Sequence, residues 1–319
     1  MESGLILVTG ATGFVGSAVI ARLAREKIQA RACVRRDGIV IPEGIQAVKV
    51  CDLSADNDWR QPLIEVGTVV HTAARVHVMQ DRASTPLVEY RRVNVQGTLN
   101  LARQAAACGV RRFVFVSSVK VNGEATKFGR PFDEENTPAP LDPYGISKME
   151  AEQGLQEVAA QTGMELVIIR PPLVYGPGVK ANFAALMRAV KRGWPLPLGA
   201  IKNKRSLVAL DNLIDLILIC TTHPRAANQT FMVSDGDDLS TSELVCRMAL
   251  AACVPVRLLP IPVWILKACS VLAGKSEAMQ RLTGNLQVDI SKANRLLDWV
   301  PPVSVSEGLV RAMAGTRCS

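Results

Sequence analysis

Short apolar runs alternate with longer amphipathic stretches over the first half of this 319-residue chain. Leu-Ile-Leu-Val-Thr-Gly, ending at Gly10, is continuously apolar until its last two residues and reads as a strand. A helix follows, in which Val15, Val19 and Leu23 recur every four residues. ARACVR, AVKVCDL and VGTVVHTAA read as the next three strands, residues 93–108 as a helix, and RRFVFVSS as a fifth strand. A helix after Tyr144 leads into ELVIIRPPLVYG, read as one further strand ended by Pro171-Pro172. Strands without a polar face, separated by helices, predict a parallel sheet covered on both sides. The expected fold class is therefore α/β, a doubly wound sheet.

Beyond Tyr175 the alternation loosens. Pro and Gly gather in VYGPGVK and RGWPLPLGA, one more strand (TFMVSD) follows, and the last third is mostly helical. This predicts a sheet domain over residues 1–172 with a returning segment at 206–232. A smaller helical lobe is expected from residues 173–205 and 233–319.

A composition of 48% hydrophobic and 21% charged residues is that of a packed globular chain and excludes disorder. The eight cysteines show no CxxC or paired spacing, and several lie in apolar runs, so reduced thiols and a cytoplasmic setting are expected. The N-terminus enters a strand without a secretion signal. The most membrane-like run, VRLLPIPVWILKACSVLAG, is broken by Arg257, two prolines and Lys267. It is too short to span a bilayer and reads as a buried or peripheral helix. The net charge of +8 suits polyanionic small molecules or anionic lipid. With 4% aromatic residues, a base-stacking surface for nucleic acid is not expected. His71, His77 and His223 form no ligand spacing, so no metal is expected.

The first strand runs directly into Thr9-Gly10-Ala-Thr12-Gly13-Phe14-Val15-Gly16 and then a helix. Gly10 suits a tight turn, Gly13 a close approach of backbone to a pyrophosphate, and Gly16 close packing of helix on strand. The anion would rest on the helix N-terminus, whose free N–H groups attract negative charge. An acidic residue closing the second strand would hold a ribose hydroxyl. Here the chain reads Arg35-Arg36-Asp37, and arginines suit a 2′-phosphate. NADP(H) is favoured, with NAD(H) left open through Asp37. Asp52 and Leu53, closing the third strand, are adenine contacts in this scheme.

Among three tyrosines, Tyr144 stands four residues before Lys148 in Asp142-Pro-Tyr-Gly-Ile-Ser-Lys148. An ammonium one helical turn away favours a phenolate and is expected to lower the tyrosine pKa from its usual value near 10. With TGATGFVG, VCDL, HTAA, FVSS and YGISK in this order, the chain resembles the extended short-chain dehydrogenase/reductases of the NAD-dependent epimerase/dehydratase type. The likeness continues through RPPLVYGPG, RSLVALDNLIDLI and DISKANRLLDW. It implies Ser118, Tyr144 and Lys148 as the catalytic trio, with cofactor contacts from Thr72, Ala73, Ala74, Asn94 and Pro171 besides the glycine loop. It further implies a UDP-sugar bound by Arg75, Ser118, Lys120, Asn182, Arg205 and Arg281, and a homodimer.

Two departures narrow that implication. Dehydratases of this type place Thr-Asp-Glu where this chain has Ser118-Val119-Lys120, which removes the acid pair needed for loss of water. The two arginines suit a reductase that exchanges its cofactor. HTAARVHVM, SSVKVNGE, PPLVYGPGVKANF and RSLVALDN together resemble the bacterial C4 reductases of O-antigen synthesis, and that resemblance implies NADPH-dependent reduction of the C4 ketone of a UDP-2-acetamido-2,6-dideoxy-4-keto-hexose. The alternative is a UDP-N-acetylglucosamine or UDP-glucose 4-epimerase with tightly bound NAD.

Overall fold

The computed structural model describes residues 4–76, 85–274 and 276–315. The strands are β1 (Leu5–Thr9), β2 (Ala30–Val34), β3 (Ile45–Lys49), β4 (Val66–His71), β5 (Arg112–Val116), β6 (Glu165–Arg170), β7 (Leu173–Tyr175), β8 (Leu207–Ala209) and β9 (Gln229–Met232). The helices are α1 (Phe14–Arg25), α2 (Pro86–Tyr90), α3 (Thr98–Ala107), α4 (Pro143–Thr162), α5 (Ala181–Lys191), α6 (Leu210–Thr222), α7 (Thr241–Ala251), α8 (Val263–Leu272), α9 (Ser276–Thr283), α10 (Ser291–Leu297) and α11 (Val305–Ala314).

The main sheet is parallel throughout, in the order β3-β2-β1-β4-β5-β6-β9. Alternate residues of each central strand serve opposite faces, as a period of two requires. Ile6 and Val8 pack with Val19, Leu23, Leu213 and Ile217, so α1 and α6 cover one side. Leu5 and Leu7 pack with Leu101, Ala105, Leu155 and Val158, so α3 and α4 cover the other. Strand order reverses between β1 and β4, opening a crevice at their carboxyl ends, where ligands of such sheets bind.

ELVIIRPPLVYG is not one strand. Pro171 and Pro172 offer no N–H to a ladder, so β6 stops at Arg170 and β7 leaves the sheet to pair with β8. The predicted helix at 93–108 is also modified, because Arg91–Gly97 winds as a π-helix before α3. A separate core gathers Phe183, Met187, Met248, Leu266, Leu309 and Met313 from α5, α7, α8 and α11. Ala293, Leu297 and Trp299, late in the chain, return to the sheet core instead.

Asp235 joins the two cores. It accepts from the Tyr175 hydroxyl (2.7 Å), the Ala209 N–H (2.7 Å) and the Asn212 amide (2.7 Å), and Asn212 in turn binds the Val303 backbone. The cysteines among the described residues are free thiols, and burial pushes Cys33 and Cys220 up to about 12. No described helix is long and apolar enough to cross a membrane.

At the carboxyl end of β6, Arg170 forms a buried ion pair with Glu152 of α4 (Nη2–Oε2 2.5 Å). Glu152 also accepts from the Ser117 hydroxyl (2.5 Å), and Arg170 donates to the Asn122 side chain (3.1 Å). Arg170→Met would strand Glu152 without its partner, and urea unfolding should register a loss of about 3–5 kcal/mol. A loss below about 1 kcal/mol would mean that the pair does not organise this end of the sheet.

Candidate active site

The turn after β1 can take only glycine at two points. Gly10 has φ +67°, and a Cβ there would fall 2.7 Å from the Ala73 nitrogen. At Gly16 a Cβ would fall 2.1 Å from the Gly10 carbonyl oxygen. Both collisions are with backbone, so the absent side chains are what bring α1 against the β1–β4 crevice. Gly13 N–H donates to the Gly10 carbonyl (2.8 Å), and α1 begins at Phe14 with no acidic residue in its first turn. Thr12 and Gly13 are exposed, while Phe14 and Val15 are half-buried beside the core. This open, acid-free helix start fits the pyrophosphate of a dinucleotide.

Thr72, Ala73 and Ala74 follow β4 directly, and the Thr72 hydroxyl donates to the Thr9 carbonyl (2.7 Å). His71 is buried between the Thr9 hydroxyl (2.6 Å) and the Thr98 hydroxyl (2.9 Å). Burial and then Lys148 push its pKa down to about 3, so it is a neutral structural link. Among the described residues, no cluster of three His, Cys, Asp or Glu could hold a metal. His77 lies outside the described residues.

At the end of β2, Arg35 and Arg36 are exposed, and Arg35 reaches Asp52 (3.2 Å) while Lys49 holds Asp37 (2.5 Å). The third strand is shorter than expected, ending at Lys49, so Asp52 and Leu53 sit in the loop beyond it. Leu53 is buried in the core against Gly97, where a Cβ would come within 2.7 Å of its Cγ. Its side chain is therefore committed to packing.

Tyr144 and Lys148 both lie in the first two turns of α4, whose N-terminus Asp142 caps through the Gly145 N–H (2.7 Å). Ser118 ends the β5 segment, half-buried, and its hydroxyl accepts from the Lys120 N–H (3.2 Å). Asn94 is buried in the π-helical turn and joins three pieces of backbone. Its side chain accepts from Arg75 N–H (2.8 Å) and donates to the Arg75 carbonyl (3.1 Å) and the Ser147 hydroxyl (3.0 Å). Ser147 then donates to the Tyr144 carbonyl (2.8 Å).

The expected electrostatics are reversed. Burial, followed by Asp142 and Tyr90, raises the Tyr144 phenol above its ordinary value. Burial lowers Lys148 to about 7, only partly offset by Glu152. Lys148 Nζ donates to the Val116 carbonyl (2.9 Å) and lies 4.4 Å from the Phe115 ring centre, but 6.0 Å from that of Tyr144. Desolvation therefore outweighs the one-turn attraction on which the expectation rested.

The proposed substrate residues come from several separate segments of the chain. Arg75 lies 5.6 Å over the Tyr90 ring, and Tyr90 meets Tyr144 edge-on at 6.2 Å. Lys120 pairs with Asp142 and with Glu124 (3.3 Å), so its charge is already answered by two carboxylates. Asn182 is exposed in the first turn of α5. Arg205 donates to the Gly284 carbonyl (3.2 Å), and burial together with Arg281 lowers its pKa. Arg281, on α9, pairs with Glu277 (3.4 Å).

Residues 6–234 match the NAD dependent epimerase/dehydratase family. The chain belongs to that family. It is 51% identical over 304 residues to a UDP-glucose 4-epimerase of Vibrio cholerae, spanning 95% of this chain and 92% of that protein. Its fold matches a UDP-glucose 4-epimerase of Thermotoga maritima solved with UDP-glucose (TM-score 0.77, 22% identity, 98% of each chain). It also matches MoeE5 in complex with UDP-glucose and NAD (TM-score 0.76, 25% identity, 98% of each chain).

For a member of the epimerase/dehydratase family, the useful chemistry is a proton donor–acceptor beside a site for a nicotinamide. Tyr144 and Lys148 share the start of α4, and Lys148 reaches the end of β5 through the Val116 carbonyl, two residues before Ser118. The supporting residues Ser117, Glu152 and Arg170 escaped the sequence reading. Glu152 stands four residues after Lys148, the spacing of one helix face, which was the available signal.

Gly16→Ala should weaken dinucleotide binding at least about tenfold, read by titration of cofactor fluorescence, because the new methyl meets backbone. Unchanged affinity would remove the turn from the binding site. Lys148 offers a second measurement. The unfolded chain keeps this proton up to about pH 10.4, whereas the folded chain releases it near about 7. Between those values the unfolded state binds more protons, so stability from this group rises with pH. Urea unfolding of the cofactor-free protein should show that rise, and Lys148→Met should flatten it; parallel profiles would mean that the buried lysine stays charged.

Proposed function

We propose that the chain is a 4-epimerase of UDP-hexoses or UDP-N-acetylhexosamines with tightly bound NAD. The observation that carries this reading is the 51% identity over 304 residues to the Vibrio cholerae UDP-glucose 4-epimerase, joined to the presence of Ser118, Tyr144 and Lys148. Bound NAD would supply the hydride acceptor and, when oxidised, a positive charge favouring the phenolate. Tyr144 takes the proton of the sugar 4-hydroxyl as the C4 hydrogen leaves, and Ser118 orients the same oxygen. Lys148 answers the negative charge on the phenolate from within the site. Returning the hydrogen to the opposite face requires the 4-keto sugar to turn over. An anchor on the diphosphate, away from the ring, permits this, and Arg205 with Arg281 supplies paired positive charge for it.

A second reading is NADPH-dependent reduction of a UDP-6-deoxy-4-keto-N-acetylhexosamine in surface polysaccharide synthesis. The exposed Arg35-Arg36 at the end of β2 favours it. In either case a homodimer is the accompanying proposal.

Incubation of purified protein with UDP-glucose or UDP-N-acetylglucosamine, without added cofactor, separates the two. The epimerase reading expects steady formation of the galacto product, followed by proton NMR, and NAD released on denaturation. Absence of that product, with stoichiometric NADPH consumption on a 4-keto sugar, would replace it by the reductase. Tyr144→Phe should lower turnover by about 10²–10⁴ while cofactor remains bound.

A further inference from the structure

α8 is a ten-residue helix whose Leu266 and Ser270 are buried. At about 100° per residue, Trp264, Ala268 and Val271 fall on the opposite side, with Leu272 beside them. That outer side is open: Trp264 is 71%, Val271 67% and Leu272 90% exposed. The segment leading into α8 extends the apolar set. Leu196 N–H donates to the Arg257 carbonyl (2.8 Å) and Leu259 N–H to the Leu196 carbonyl (2.8 Å). The pairing is parallel, so Trp194, Val256 and Leu259, all exposed, lie along the approach to α8. Isolated apolar residues on a surface are ordinary; a set grouped on one helix face and its approach marks an interaction site.

The two stretches that carry these apolar residues are basic along the chain, although Lys204 lies 3.7 Å from Glu243 of α7. Residues 180–205 contain seven Lys or Arg and no Asp or Glu, and residues 252–276 contain three and none. Arg192, Lys202, Arg257 and Lys267 are exposed, and Arg192 lies 5.5 Å over the Trp194 ring. The first acid beyond, Glu277, is already paired with Arg281. Two copies meeting through this face would set like charges against each other, since a two-fold contact uses the same patch twice. Tryptophan and leucine flanked by arginine and lysine instead suit the boundary of an anionic bilayer. A helix of this length covers about 15 Å, half the roughly 30 Å hydrocarbon core, so it can lie on a membrane and not span it.

We propose that the outer face of α8, with Trp194 and Leu259, docks this protein on anionic phospholipid membrane and holds its second lobe at the bilayer surface. This goes beyond the proposed function and is independent of which sugar is turned over.

The test is co-sedimentation of the full chain with phosphatidylcholine vesicles and with mixed phosphatidylcholine–phosphatidylglycerol vesicles. Binding is expected to the mixed vesicles, falling as salt rises. Tryptophan emission should shift to the blue on binding. Trp59 and Trp299 are each 2% exposed, so Trp194 and Trp264 would report it. Trp264→Ser with Leu272→Ser should weaken vesicle affinity at least about tenfold and leave turnover of a soluble UDP-sugar unchanged. The proposal is overturned by equal binding to both vesicle types, by no binding, or by a double variant that binds as the parent does. It is equally overturned if sedimentation velocity shows a dimer that the double variant dissolves, or if a stoichiometric protein partner occupies Trp264.

Discussion

The buried pair of Glu152 and Arg170 fixes the relative positions of the pieces from which the site is made. Glu152 belongs to the helix that carries Tyr144 and Lys148, and Arg170 ends the strand just before Pro171. Through Ser117 and Asn122 the same two charges reach the end of β5 and the turn after Ser118. Taking both ions from water is costly, and removal of either leaves the other uncompensated. What the pair provides is direction: bidentate geometry lets α4 sit at one height against the sheet, and Tyr144 inherits that height.

The second lobe is attached by a different means. Asp235 gathers Tyr175, Ala209 and Asn212, residues from both β7 and β8 and from α6, immediately where β7 departs from the main sheet. Burial raises this carboxyl's pKa while its three donors lower it. β7 leads the chain toward α5 and β8 follows Arg205, so this carboxylate is one of the ties between those segments and the sheet. A parallel sheet carries the glycine turn; a small polar knot joins the second lobe to it.

Features confined to one stretch of chain were legible from sequence. The strand–helix alternation, the glycine loop and the Tyr-x-x-x-Lys spacing each express their physics within about twenty residues. Where the outcome depended on distant partners, it was not legible. Nothing local in VCDL says that Leu53 will fill the space left by Gly97, or that β3 will stop at Lys49. The division of ELVIIRPPLVYG required β8, thirty-odd residues later, to receive β7. Lys120 looked free for a ligand because Asp142, which engages it, lies 22 residues further along the chain.

The same limit explains the reversed electrostatics at Tyr144 and Lys148. Spacing on a helix specifies that two side chains share a face; it does not specify how much water either keeps. Lys148 is 2% exposed, held by the Val116 carbonyl and the Phe115 ring, and its one nearby carboxylate already answers Arg170. With no spare counter-ion the ammonium is disfavoured, so it exerts less pull on the phenol than its distance suggests. Burial thus disfavours the charged form of both Lys148 and Tyr144 in the free protein. Charge that arrives with a ligand has unusually large leverage on such a couple, because little solvent remains between them to screen it. On the proposed reading, the positive charge of an oxidised nicotinamide would act beside both groups, and cofactor binding and activation of Tyr144 would then be one event.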